Sequence, residues 1–119
     1  MKKQVKRGDI FLIAFDPTKG SEIQKTRPAI VIQNDIGNKY SATTVVAAIT
    51  SQAEGNHYPG TVLIQEGEGG LKKESLVLLN QIRTVDIEKR CLQRLGKVTL
   101  STLRGIDQAL QLQLGLIKL

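Results

Sequence analysis

Three side chains in this sequence have the types and spacing to handle a phosphate: Arg27, Thr50 and Ser51. Arg27 ends a polar stretch and opens the apolar run Pro28-Ala29-Ile30-Val31-Ile32-Gln33, while Thr50 ends the β-branched run from Thr43. If these runs pair as an antiparallel hairpin, the start of one lies beside the end of the other, and Arg27 and Thr50 share a rim of the sheet. A guanidinium grips phosphate through two parallel N–H···O bonds, and a neighbouring hydroxyl adds another. On spacing alone, a surface ion pair of Arg27 with Glu22 or Asp35 is the stronger reading of the arginine.

Other chemistries find little to work with. One cysteine (Cys91) and one histidine (His57) exclude an intramolecular disulfide, a zinc site of the usual kind and a two-histidine ribonuclease. The carboxylates are scattered, with no D-x-D spacing in a strand, which argues against a metal-dependent nuclease; no cofactor is expected. Ser21 lacks the G-x-S-x-G elbow. Glu66-Gly67-Glu68-Gly69-Gly70 reads as a flexible turn and matches neither phosphate-loop pattern, since Lys72 stands where a third glycine is needed. His57 reads as a solvated loop side chain and Cys91 as a small buried hydrophobe.

These residues need a scaffold. With 119 residues the chain makes one domain, spanning 1–119, with an aliphatic core, because there are only two Phe, two Tyr and no Trp. Short β-branched and apolar runs predict strands at Ile10–Phe15, Pro28–Gln33, Thr43–Thr50, Thr61–Gln65, Ser75–Val85 and Leu92–Val98. A twelve-residue polar loop, 16–27, separates the first two, and turn residues fill Asn34–Asn38. Leu103, Ile106, Leu110, Leu114 and Ile117 recur at helical steps, with Ser101 as the expected N-cap. Leu112 and Leu116 widen that stripe toward a subunit interface. The expected fold is mainly β with α: a small antiparallel barrel or half-barrel with a C-terminal helix.

The net charge of +6 favours a polyanionic partner. No apolar run approaches the length of a membrane span, and the basic start leads into no convincing signal peptide, so the expected location is cytoplasmic, with no membrane partner. Single-strand readers commonly stack bases on aromatic rings. Here only Phe11, Phe15, Tyr40 and Tyr58 are present, and both Phe lie in a core strand, so base recognition is expected to use amides, backbone groups and loop closure.

At these residues the chain resembles the MazF/PemK family of bacterial toxin–antitoxin toxins. The resemblance is carried by Lys6-Arg7-Gly8-Asp9-Ile10, Gly20-Ser21-Glu22, Thr26 to Asp35 with Ile36-Gly37-Asn38, Val45 to Ser51, and Ser75 to Asp86. These segments run in order through nearly the whole chain and look closest to the Gram-positive members. The resemblance implies a compact SH3-like barrel that works as a homodimer. Its implied activity is a sequence-selective, metal-independent endoribonuclease that cuts single-stranded mRNA and arrests growth. A MazE-like antitoxin would inhibit it.

Carried over by residue, Arg27 and Thr50 are the catalytic pair, Ser21 and Glu22 lie in the loop that closes over RNA, and Gln33, Ser51, Ser75 and Gln81 fall among the substrate contacts. Some relatives take a general base from the first loop, where Asp16 is the nearest acid. Two other readings share the barrel: a CcdB-like gyrase poison, which needs no catalytic pair, and a non-catalytic nucleic-acid-binding barrel.

Overall fold

The central β-branched runs fold as strands because they alternate their side chains between two buried layers. The computed structural model describes residues 3–22, 24–51 and 59–118. Its six strands are β1 (Asp9–Ala14), β2 (Thr26–Val31), β3 (Thr43–Thr50), β4 (Thr61–Ile64), β5 (Ser75–Asp86) and β6 (Cys91–Lys97). They form one antiparallel sheet in the order β4-β5-β3-β2-β1-β6. The helices are α1 (Asp35–Tyr40), α2 (Ile87–Arg90) and α3 (Leu100–Gln113). His57 and Tyr58 lie outside the described residues.

The alternation is explicit in β2 and β3. Ile30, Ala47 and Ile49 enter one core, which α3 covers with Ile106 and Ala109. Ala29, Val31, Val46 and Ala48 enter a second core on the other face, closed by Val5, Phe15, Ile87 and Cys91. The expected burial of Phe11, Phe15 and Cys91 is observed.

Among the described residues the sheet is a half-barrel rather than a closed barrel, with β4 and β6 as its edges. The segment after β4 bridges the gap. Its 3₁₀ turn, Glu68–Gly70, packs Gly69 and Gly70 against β6 so tightly that a Cβ on Gly70 would collide with the Leu95 carbonyl oxygen. The φ of Gly70 is 77°, a region that glycine adopts at little cost. A Cβ on Gly96 would in turn lie 2.7 Å from the Gly69 carbonyl carbon. The Glu66–Gly70 segment is therefore a packed bridge rather than the flexible turn expected. Its partner glycine, Gly96, is remote in sequence.

Two other elements differ from expectation. Asn34–Asn38 opens a short helix, α1, because the Asn34 side chain accepts from the Gly37 N–H at 2.8 Å and caps its first turn. The cap of α3 is Thr99, not Ser101: the Thr99 hydroxyl accepts from the Thr102 N–H at 3.2 Å. That helix ends at Gln113, where Gly115 (φ 73°) allows Leu116 N–H to reach the Gln111 carbonyl at 2.8 Å.

Candidate active site

Strand register brings the proposed pair together. β2 and β3 pair Ala29 with Ala48, Ile30 with Ala47 and Val31 with Val46. Continued two residues toward the rim, that register sets Arg27 opposite Thr50. Alternation puts both on the face of the second core, just beyond the small pair Ala29 and Ala48. Arg27 and Thr50 are both half-buried. Among the described residues Arg27 makes no ion pair with Glu22 or Asp35; its Nε donates to the Gln24 carbonyl at 2.9 Å. The guanidinium is thereby oriented by backbone while its NH groups stay available for an anion.

The long loop is tied at its base. Phe15 N–H donates to the Lys25 carbonyl at 3.0 Å, and Asp16 Oδ1 accepts from the Lys25 N–H at 3.0 Å. Arg90 donates to the carbonyls of Ala14 (2.7 Å) and Asp16 (2.6 Å), and Arg83 to that of Phe15. Asp16 thus closes the loop that Arg27 leaves.

Two clefts flank the rim. One, of about 280 Å³, has Arg27, Ser51, Lys72, Lys73 and Ser75 around an apolar floor of Pro28, Ile49 and Leu71. Ser75 is buried and its hydroxyl donates to the Lys73 carbonyl at 2.8 Å. The other, of about 220 Å³, lies beneath the loop and gathers Thr18, Glu22, Gln81, Ile82 and Arg83. Gln81 reaches it because β5 bulges: Ala48 pairs with Leu78 but Ala47 with Ile82. Its amide donates to the Ser21 carbonyl at 3.4 Å. So the fold gathers Arg27, Thr50, Ser51 and Ser75 at the rim, and Ser21, Glu22 and Gln81 beside it.

Gln33 is not among them. It lies two residues beyond the far end of β2, about 20 Å away at the strand rise of ~3.3 Å per residue. There its amide donates to Asn38 Oδ1 (3.0 Å) and the Thr43 carbonyl (3.1 Å). Asn38, buried, donates to the Gln33 carbonyl at 2.9 Å and to Asp35 Oδ1 at 3.2 Å, and accepts from the Thr44 hydroxyl at 2.6 Å. The carboxyl of Asp35 is held below its ordinary range, first because the Arg7 N–H donates to it at 2.7 Å; burial opposes this, and Asn38, Lys6 and the Arg7 charge add to the lowering.

Lys72 and Lys73 are cleft residues that motif reading passes over; only the packed bridge after β4 carries them to the rim. Among the described residues no three His, Cys, Asp or Glu side chains gather as a metal site.

The family described as PemK-like, MazF-like toxins of type II toxin–antitoxin systems matches residues 6–114. The chain belongs to this family. Solved PemK/MazF-type structures share its fold. One is a MazF from Deinococcus radiodurans, 25% identical, with TM-score 0.81 over 95% of this chain and 98% of that one. Another is a mycobacterial endoribonuclease solved with its cognate antitoxin, 22% identical, with TM-score 0.78 over 97% and 99%. A third is a MazE–MazF complex from D. radiodurans, 22% identical, with TM-score 0.75 over 95% and 97%.

Within this PemK/MazF-type chain, many residues that carry the sequence resemblance serve the scaffold. Arg7 donates to the Ile32 carbonyl at 2.9 Å and pairs with Asp107 at 2.5 Å, and buried Asp9 pairs with Arg94 at 3.1 Å. Asn34 and Asn38 build α1.

Proposed function

We propose that this chain is an endoribonuclease toxin that cuts single-stranded mRNA at short motifs, using the RNA's own 2′-hydroxyl and no metal. The observation that carries this reading is the register that sets Arg27 opposite Thr50 on one face of a lysine-flanked rim. In the reaction the 2′-oxygen bonds to phosphorus as its proton leaves, and the P–O5′ bond breaks as the 5′-oxygen gains a proton. The ends are a 2′,3′-cyclic phosphate and a 5′-hydroxyl.

The extra negative charge in the transition state sits on the non-bridging oxygens, where preorganised donors count most. Arg27 clamps those oxygens bidentately and Thr50 hydrogen-bonds and orients the same phosphate. Ser51 and Ser75 contact the strand at the rim, while Ser21, Glu22 and Gln81 take a base under the loop. Gln33 supports α1 rather than the substrate.

The whole chain acts as one toxin domain, in the cytoplasm, as a homodimer. Leu114 (57% exposed) and Leu116 (69%) continue the apolar stripe of α3 into solvent and suit a subunit contact. A MazE-like antitoxin with an acidic segment competes with RNA for the positive rim, and release of the toxin arrests growth. No helix among the described residues is long and apolar enough to cross a membrane.

The test is incubation of the purified protein with a long RNA in EDTA. Discrete cuts ending in cyclic phosphate, absent with a folded Arg27→Ala variant, are expected. Intact RNA with blocked gyrase, or a gel shift without cleavage, would overturn the reading.

A further inference from the structure

The lysine-bearing cleft lies on the side of the sheet away from Thr50. Ser51 and Ser75 share strand parity with Ile49 and Val77 of the first core, whereas Thr50 shares parity with Ala48 of the second. Arg27 lines that cleft and also stands opposite Thr50, so it belongs to both sides of the rim.

The two clefts differ in charge. The one beneath the loop holds Glu22, whose carboxylate repels phosphate but accepts from base amino groups, beside Arg83, whose guanidinium already donates to the Phe15 carbonyl. The other has Arg27, Lys72 and Lys73 around it and, among the described residues, no carboxylate. Lys72 and Lys73 are exposed and make no ion pair or side-chain hydrogen bond among the described residues. The turn that presents them is nonetheless fixed: Leu71 is buried, Gly70 packs on β6, and buried Ser75 holds the Lys73 carbonyl. A rigid backbone offering unneutralised ammonium groups beside Arg27 is suited to a second phosphate of the same strand.

We propose that Lys72 and Lys73 form a second phosphate subsite, so that the RNA strand crosses the rim at Arg27. The scissile phosphate lies on the Thr50 side and its neighbour between Lys72, Lys73 and Ser51. This rests on the endoribonuclease reading for the identity of the strand, and the experiment separates the two.

The probe is a fluorescein-labelled, all-2′-deoxy single strand of about 16 nucleotides, long enough for a typical single-strand site and lacking the nucleophile, so that binding is read apart from cleavage. The doubly substituted Lys72→Gln/Lys73→Gln protein is expected to bind it about tenfold more weakly than the parent. The slope of log affinity against log salt should flatten by about 0.7–1.4, the value for one to two lost phosphate contacts on a single strand. With RNA substrate, KM should rise about tenfold while kcat stays within about twofold, the signature of lost uniform binding.

A charge-matched control, Lys89→Gln/Lys97→Gln, removes the same charge from exposed positions outside the cleft and should change affinity less than about twofold. Parental affinity and slope in the Lys72/Lys73 variant, or an equal loss in the control, would overturn the subsite. A fall in kcat larger than the rise in KM would also overturn it, by placing the lysines in the chemistry. If the parent binds the strand but cleaves no RNA, the ribonuclease reading fails, and the slopes still decide the subsite.

Discussion

The two ends of the β2–β3 ladder both carry polar residues and use them in opposite ways. At the α1 end, Gln33, Asn38, Thr43, Thr44 and Asp35 are joined by short hydrogen bonds, with the Asn38 side chain engaged by Gln33, Asp35 and Thr44. At the Arg27 end, Arg27 is steadied by a single backbone carbonyl, and Lys72 and Lys73 project without partners among the described residues. A saturated polar network is spent on the fold, because each buried group lost strands its partners. Under-used donors at a rim remain available for a ligand. Hydrogen-bond saturation separates the two.

That contrast can be broken by substitution. The largest effect after loss of Arg27 itself is expected from Thr50→Val, which keeps the β-branched shape: kcat on RNA should fall about 10²-fold, as for loss of one transition-state donor, with little change in melting temperature. A parental rate would remove Thr50 from the chemistry. At the other end, Asn38→Ala should cost about 2–3 kcal/mol in denaturant unfolding, since Gln33 and Thr44 lose their partner in a buried setting. The rate per folded molecule should stay at the parental value.

Gln33→Ala should be milder, about 1–2 kcal/mol, because the Thr43 carbonyl it leaves sits in a partly buried position. An unchanged stability with an altered cleavage motif would return Gln33 to the substrate. The smallest effect concerns pH. Burial raises the Cys91 thiol from 9.0 to about 11, aided by the charges of Asp86 and Glu88 and opposed by Lys3. Below the unfolded value both states hold the proton and the contribution is full; between about 9 and 11 the unfolded chain ionises first, so stability declines as pH rises through that window. Cys91→Ala should remove that part of the decline, measured by urea midpoints across the range.

The sheet was legible because its β-branched runs are bounded by Gly, Pro and Asp, and the Arg27–Thr50 pair because strand pairing converts sequence position into a shared rim. α1 escaped notice because it is six residues long, held by an Asn34 cap, with Ile36 and Tyr40 exposed rather than forming an apolar face. The bridge after β4 was misread because its rigidity comes from Gly96 and Leu95, distant contacts that no local pattern records. For the same reason no local pattern marks Lys72 and Lys73 as cleft residues. Gln33 was grouped with the substrate contacts by its segment. Only the hydrogen bonds to Asn38 and Thr43 show it held beside α1, away from the Arg27 rim.

The central claim is that chemistry resides at the Arg27 end and stability at the α1 end. It is tested most directly by measuring RNA cleavage in EDTA for Arg27→Ala and Asn38→Ala side by side, each scaled to its folded fraction by circular dichroism. The account predicts a loss of about 10³-fold or more for Arg27→Ala at parental stability, and a near-parental rate for folded Asn38→Ala. A folded Arg27→Ala protein that cuts at the parental rate would contradict it.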